Sequence, residues 1–221
     1  MSLVKLIAQA DERGLAASGL GCLDRCLPPL ADGTEALRPL WAGVVSGERD
    51  WSARLAAVRE ALGSAANAVK PVNAVNAADA ETGANDATGI VRTVLGAAPS
   101  DWAAEPLRSW ADSCSVAALR IHRTFDTVGE GESESGAAAE WLARCREDAA
   151  AVTDAVAGAD GTAGADGVGP LVAGELRRQI RILEILAETA GAAGLRQAMD
   201  LSTEGQRVLR AVVSRRARAA S

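Results

Sequence analysis

The stretch Pro170–Gly191, PLVAGELRRQIRILEILAETAG, constrains the fold more than any other. Proline stands where a first helical turn has an amide to spare, and glycine stands where a helix can end. The punctuation therefore predicts one uninterrupted helix. At 100° per residue, Val172, Leu176, Ile180, Leu183, Ala187 and Ala190 fall on one stripe, widened by Ile182 and Leu186. Arg177, Arg181, Glu184 and Glu188 line the other side. A helix apolar over nearly half its circumference must be covered by other elements. The expectation is an all-α helical bundle with this segment as its central helix.

Sheet-forming patterns are scarce in the rest of the chain. Of 221 residues 48% are hydrophobic, but only 3% are aromatic: five Trp, one Phe and no Tyr. The apolar share is largely alanine, which favours helices and close packing. That share is also large enough to exclude disorder throughout. The formal charge of −6 gives no global attraction to nucleic acid or anionic membrane. No run approaches the roughly 18 apolar residues that cross a bilayer. Lys5 and Lys70 are the only lysines, and the preference for Arg, Ala and Gly points to a GC-rich bacterial genome. In MSLVKLIAQADERG, Asp11 and Glu12 stand where a signal peptide would continue its apolar core. Cys22, Cys26, Cys114 and Cys145 sit in helical patterns, as reduced thiols do, so the expected location is cytoplasmic.

In chain order, Ser2 caps a first helix through Leu3, Leu6, Ile7 and Ala10, which ends near Gly14. A second stripe runs through Leu20, Leu23, Leu27 and Leu30 until Pro28-Pro29 halts regular helix. Glu35 to Val45 and Glu48 to Leu62 follow, the latter ending at Gly63. Residues 63–88 are rich in Ala and Asn and poor in large side chains, so they read as a flexible linker. This divides an N-terminal helical segment, 1–62, from a C-terminal bundle, 89–221, the two packing together as one domain in one version. Ser100 caps a long pattern through Ala103, Leu107, Trp110, Cys114, Ala117, Ile121 and Phe125. A loop with Glu130, Glu132 and Glu134 precedes a stripe of Trp141, Cys145, Ala149, Val152 and Val156. Ser202 caps a last helix that closes on Arg215, Arg216 and Arg218, cations suited to the negative end of the helix dipole. The whole amounts to about six or seven helices.

Few constellations carry chemistry. Cys22 and Cys26 lie on neighbouring turns and are metal candidates only if Cys114, Cys145 or His122 joins them. Their spacing matches no zinc knuckle, and the packing of small hydrophobes accounts for them better. His122, the sole histidine, falls about 120° from the Trp110 stripe, a solvent boundary, with Asp126 at i+4 as its one available orienting carboxylate. GADGTAGADGVG matches no phosphate loop or EF-hand. The E-x-x-H pairing of a di-iron bundle is missing as well. No cofactor and no catalytic residue is expected.

The remaining features favour association. Trp110 and Trp141 read as core anchors; Trp41 and Trp102 read as contact surface. Gln179, polar within the apolar arc of its helix, fixes helix register or lies at a subunit seam. Arg215, Arg216 and Arg218 form a basic patch that suits an acidic partner or DNA phosphates. The expected function is a non-enzymatic cytoplasmic adaptor or regulator acting through protein–protein contacts or self-association. The alternatives are a DNA-binding regulator using the basic C-terminal helices, and a ligand-binding or enzymatic bundle.

Overall fold

The computed structural model describes residues 2–27, 37–68, 87, 89–126, 135–157 and 168–219. Within them run α1 (Leu3–Gln9), α2 (Glu12–Arg25), α3 (Arg38–Ser46), α4 (Glu48–Ala68), α5 (89–96), α6 (Ala104–Asp126), α7 (Ser135–Glu147), α8 (Ala149–Ala157), α9 (Pro170–Glu188) and α10 (Gly191–Ala219). The fold is an all-α bundle, and no strand occurs among the described residues. The core of the expected linker, the acidic loop at Glu130–Glu134 and most of the Gly/Asp loop before α9 lie outside the described residues.

Local chemistry sets the helix ends. Ser2 caps α1 by accepting the Lys5 amide at 3.3 Å. The next break falls at Ala10-Asp11, earlier than Gly14, because the Asp11 carboxylate accepts the Gly14 amide at 2.7 Å and starts α2. Helix α4 continues through Gly63 to Ala68, past the end expected at Leu62. Helix α6 begins at Ala104, so Ser100 is not its cap. A turn at Asp148 splits the expected Trp141–Val156 stripe into α7 and α8.

The bundle is organised around α2, not α9. All residues from Gly14 to Leu27 are buried, and α2 packs against α3, α6, α9 and α10. Its sequence, ERGLAASGLGCLDR, explains this: small residues on every side let neighbouring backbones approach. At Gly19 a Cβ would stand 2.8 Å from the Trp110 ring, so that indole rests on the α2 backbone. Helix α9 is one wall, with Arg177, Arg181, Ala187 and Glu188 exposed. It also stops at Glu188. Thr189 and Ala190 turn the chain, and Gly191, at φ 72°, opens α10. Ala187 and Ala190 thus leave the expected stripe for solvent.

Trp51 is fully buried, and Trp102 and Trp110 meet it edge-on with ring centroids at 5.3 and 6.0 Å. The Trp51 indole donates to the Pro99 carbonyl at 2.8 Å and that of Trp110 to Val94 at 2.9 Å. These bonds fix α5 and the chain after it against α4 and α6.

The C-terminal end of α6 meets the start of α9 and the last turns of α10. Asp126, the last residue of α6, accepts the α9 amides of Leu171 at 3.0 Å and Val172 at 2.9 Å. The α9 N-cap is Gly169, which has no side chain to do this, and a Cβ there would collide with Asp126. Arg216 of α10 donates to the Thr124 and Phe125 carbonyls at the end of α6 and lies over the Phe125 ring, 5.0 Å from its centroid. Asp126→Ala should therefore lower stability by about 1–2 kcal/mol, the cost of a lost cap. Chemical denaturation checks this, and an unchanged midpoint would show that α9 needs no borrowed cap.

Candidate functional site

The polar side chains that the fold gathers lie inside it. Arg25, the last residue of α2, and Glu175, in the second turn of α9, are both 0% exposed. Arg25 Nε donates to Glu175 Oε2 at 2.7 Å and Nη2 to Oε1 at 2.6 Å, a bidentate pair. Nη1 reaches Ser202 Oγ of α10 at 3.3 Å, and Nη2 also approaches Cys22 Sγ at 3.6 Å. Four of the five guanidinium N–H groups are thereby used.

Glu175 is bound from its own helix as well. Gln179 Nε2 donates to Oε1 at 2.8 Å, while Gln179 Oε1 accepts from Ser115 Oγ of α6 at 2.6 Å. Burial pushes the Glu175 carboxyl up, but the Arg25 charge and the hydrogen bonds from Arg25 and Gln179 hold it below its ordinary value. Burial likewise opposes the Arg25 charge, and Glu175 more than offsets it, so the guanidinium is held above its ordinary value. Helices α2, α6, α9 and α10 all contribute side chains to this one cluster.

Room for the arginine comes from glycine. A Cβ at Gly205 would fall well inside contact distance of Arg25 Cδ, and one at Gly21 would stand 3.0 Å from both Arg25 Nη1 and Ser202 Oγ. Small residues on α2 and α10 therefore clear the channel that the side chain occupies.

His122 is in this cluster, not at a solvent boundary: it is 2% exposed, because α9 covers the flank of α6 that carries it. Its Nδ1 lies 2.8 Å from the Ala118 carbonyl, which requires the proton on Nδ1 in the neutral ring. Nε2 faces Glu175 Oε2 at 3.7 Å. Burial lowers the His122 pKa and outweighs the opposing pull of Glu175. Asp126 is committed to the α9 amides rather than to orienting the imidazole.

Cys22 and Cys26 are buried, and burial raises the Cys22 thiol to about 12 and the Cys26 thiol well above its ordinary value. Such thiols are poor nucleophiles and poor metal ligands. No group of three or more His, Cys, Asp or Glu side chains among the described residues is arranged to hold a metal ion.

The expected contact residues divide. Trp41 is 4% exposed and belongs to the core, facing Asp24, whose carboxyl burial raises to about 6 against the pull of Arg25, Trp41 and Gln206. Trp102 is half-buried on Trp51. Gln179 serves the internal cluster instead of a subunit seam. Arg216 holds α6, whereas Arg215 and Arg218 face solvent. Glu175 and Arg25 were not singled out in the sequence, although both keep phase with buried positions: Val172, Glu175, Leu176 and Gln179 on one helix, Ser18, Cys22 and Arg25 on the other.

Two surface grooves flank α6. One, of about 500 Å³ between α5 and α6, is lined by Ile90, Thr93, Asp112, Val116 and Arg120. The other, of about 340 Å³ against α1, includes Val4, Ile7, Arg108 and Asp112. Asp112 pairs with Arg146, and the Thr93 and Ser113 hydroxyls donate to their own helices' carbonyls at 2.9 Å. No residue of the Arg25–Glu175 cluster lines either groove.

Removing one partner of a buried pair strands the other charge, so Arg25→Met and Glu175→Leu should each cost about 3–5 kcal/mol. The double variant should cost less than either alone. A double loss equal to the sum would show that the two side chains do not act as a pair. The cluster also gives stability a pH dependence. Unfolded His122 takes up a proton near its usual 6.5 while the folded ring does not, so its contribution is present above about 6.5 and is lost as pH falls below it. Asp24 works in the opposite sense, since the folded carboxyl protonates first, near 6. His122→Asn should therefore flatten the acid-side fall in stability below about pH 6.5, measured by denaturant titration against the parent chain. Parallel profiles would contradict a buried neutral histidine.

Comparison with protein-family models, curated proteins and solved structures finds no match to this chain.

Proposed function

We propose that the chain is a non-enzymatic cytoplasmic adaptor or regulator that acts through protein–protein contacts. One observation carries this. The side chains best suited to acid–base or nucleophilic work among the described residues, Glu175, His122, Cys22 and Cys26, are closed inside the bundle, and Glu175 is committed to Arg25 and Gln179. A general base must reach the proton that it removes, and a buried carboxylate already bound by Arg25 and Gln179 does not. The four cysteines are all buried in helices, which suits a reducing compartment. No helix among the described residues is long and apolar enough to cross a membrane. What such a molecule offers others is the outer surface of its helices.

Native mass spectrometry of the purified chain over a range of concentrations tests this. The expected spectrum holds whole-number multiples of the bare chain, with no added mass. Retained metal or a small molecule would instead favour the ligand-binding or enzymatic bundle and point to the α6 grooves.

A further inference from the structure

Helix α10 is 29 residues long, ten more than the 19-residue α9 that precedes it. Its buried positions, Gly194, Leu195, Ala198, Ser202, Gly205 and Leu209, keep helical spacing and then stop. Beyond Leu209 no described residue of α10 is fully buried. The outward side of this last part is strongly basic. Arg207, Arg210, Arg215 and Arg218 are all exposed, and at 100° per residue they share an arc of about 140° opposite Leu209. They span about 16 Å of helix. No acidic residue follows Glu204 in α10, and Glu204 itself is taken by Arg178 at 3.4 Å.

Among the described residues none of these four arginines is paired with a carboxylate. Arg216, in the same turn as Arg215, shows the contrast: it is turned inward and spent on the α6 carbonyls. The arc is not purely ionic. Val208, 37% exposed, is one of two exposed large apolar side chains among the described residues; at 100° per residue it borders the arc about 20° beyond Arg215, while exposed Ala211 lies within it between Arg207 and Arg215.

We infer that this face of α10 docks a short acidic segment of a partner protein, one whose carboxylates flank an apolar side chain seated on Val208 and Ala211. The inference rests on the adaptor reading and names its surface. Charge complementarity carries it: four exposed guanidinium groups with no carboxylate partner among the described residues, holding Ala211 among them and bordered by Val208, suit a segment that brings carboxylates and an apolar side chain together. Duplex DNA fits less well, because a long phosphate backbone would run beyond the arc and meet the field of a chain carrying −6.

Fluorescence anisotropy at physiological ionic strength, where charges are screened beyond about 8 Å, tests the docking directly. The probes are a labelled peptide with leucines at i, i+3 and i+4 between glutamates, an oligo-glutamate of equal length, and a short DNA duplex. Arg207→Glu/Arg210→Glu/Arg215→Glu/Arg218→Glu is compared with Arg49→Glu/Arg92→Glu/Arg144→Glu/Arg177→Glu, eight exposed positions giving two variants of equal net charge. Far-UV circular dichroism confirms that both stay helical. The leucine peptide should bind the parent chain best, and the α10 variant should lose about tenfold or more, the loss of some 1.4 kcal/mol. The control variant should stay within about threefold of the parent, the residual long-range field being screened. Val208→Ser should weaken the leucine peptide several-fold and leave oligo-glutamate unchanged. Equal losses in both charge-reversed variants, or equal binding of both peptides, would overturn the seated apolar contact. Tighter binding of the duplex would reassign the arc to nucleic acid. A parent chain that binds no probe would also remove the arc from consideration, and the adaptor reading would then stand or fall separately on the native mass spectrum.

Discussion

The bidentate contact between Arg25 and Glu175 is the interaction on which the rest of the bundle depends. Two opposite charges withdrawn completely from water are tolerable only when nearly every donor and acceptor finds a partner. That requirement recruits Ser202 from α10, Gln179 from α9 and, through Gln179, Ser115 from α6 around the end of α2. A hydrophobic core alone accepts many arrangements of alanine-rich helices. A fork that must meet one carboxylate does not, and so the cluster specifies how four helices are set against one another. The glycines at 21 and 205 belong to the same solution, since they clear the space through which the arginine passes.

Helix α2 shows why a fully buried element was hard to see. A helix covered on one side announces itself by a stripe, as α6 and α9 do. A helix covered on all sides has no polar face to contrast with, and one built of Gly, Ala and Ser looks unremarkable by hydrophobicity. The all-α class, the long α6 pattern and the Trp110 anchor were legible because they depend on local periodicity. The centre of the bundle is not, because the stripe of α9 is the stronger local signal while α2 is the helix buried on all sides. Breaks at Ala10-Asp11 and Asp148 escaped for a related reason: the apolar phase nearly survives them, and only a capping carboxylate or a turn marks the division.

The polar residues tell a similar story. Gln179 stood out because it interrupts an apolar arc, yet its partners Glu175 and Ser115 could be named only once α6 and α9 were side by side. His122 looked exposed on its own helix; a neighbouring helix covers it. Trp41 looked like surface beside a proline, but α3 turns it onto Asp24. For Gln179 and His122 the covering neighbour lies far off in sequence, where periodicity along one helix does not reach. Arg215 and Arg218 escape this difficulty, because both are exposed among the described residues.

Interior and exterior thus divide the work: charged groups inside hold one architecture, and charged groups outside are free to meet a partner. The division requires that solvent not reach the cluster in the folded chain. Labelling of Cys22, Cys26 and Cys114 by a small thiol reagent, followed by mass spectrometry under native conditions and in graded denaturant, measures this directly. A sealed cluster predicts slow modification whose rate rises with denaturant as global unfolding does. Fast modification of Cys22 or Cys26 without denaturant, insensitive to its addition, would mean that the interior opens to solvent, and a buried active site would return as the better account.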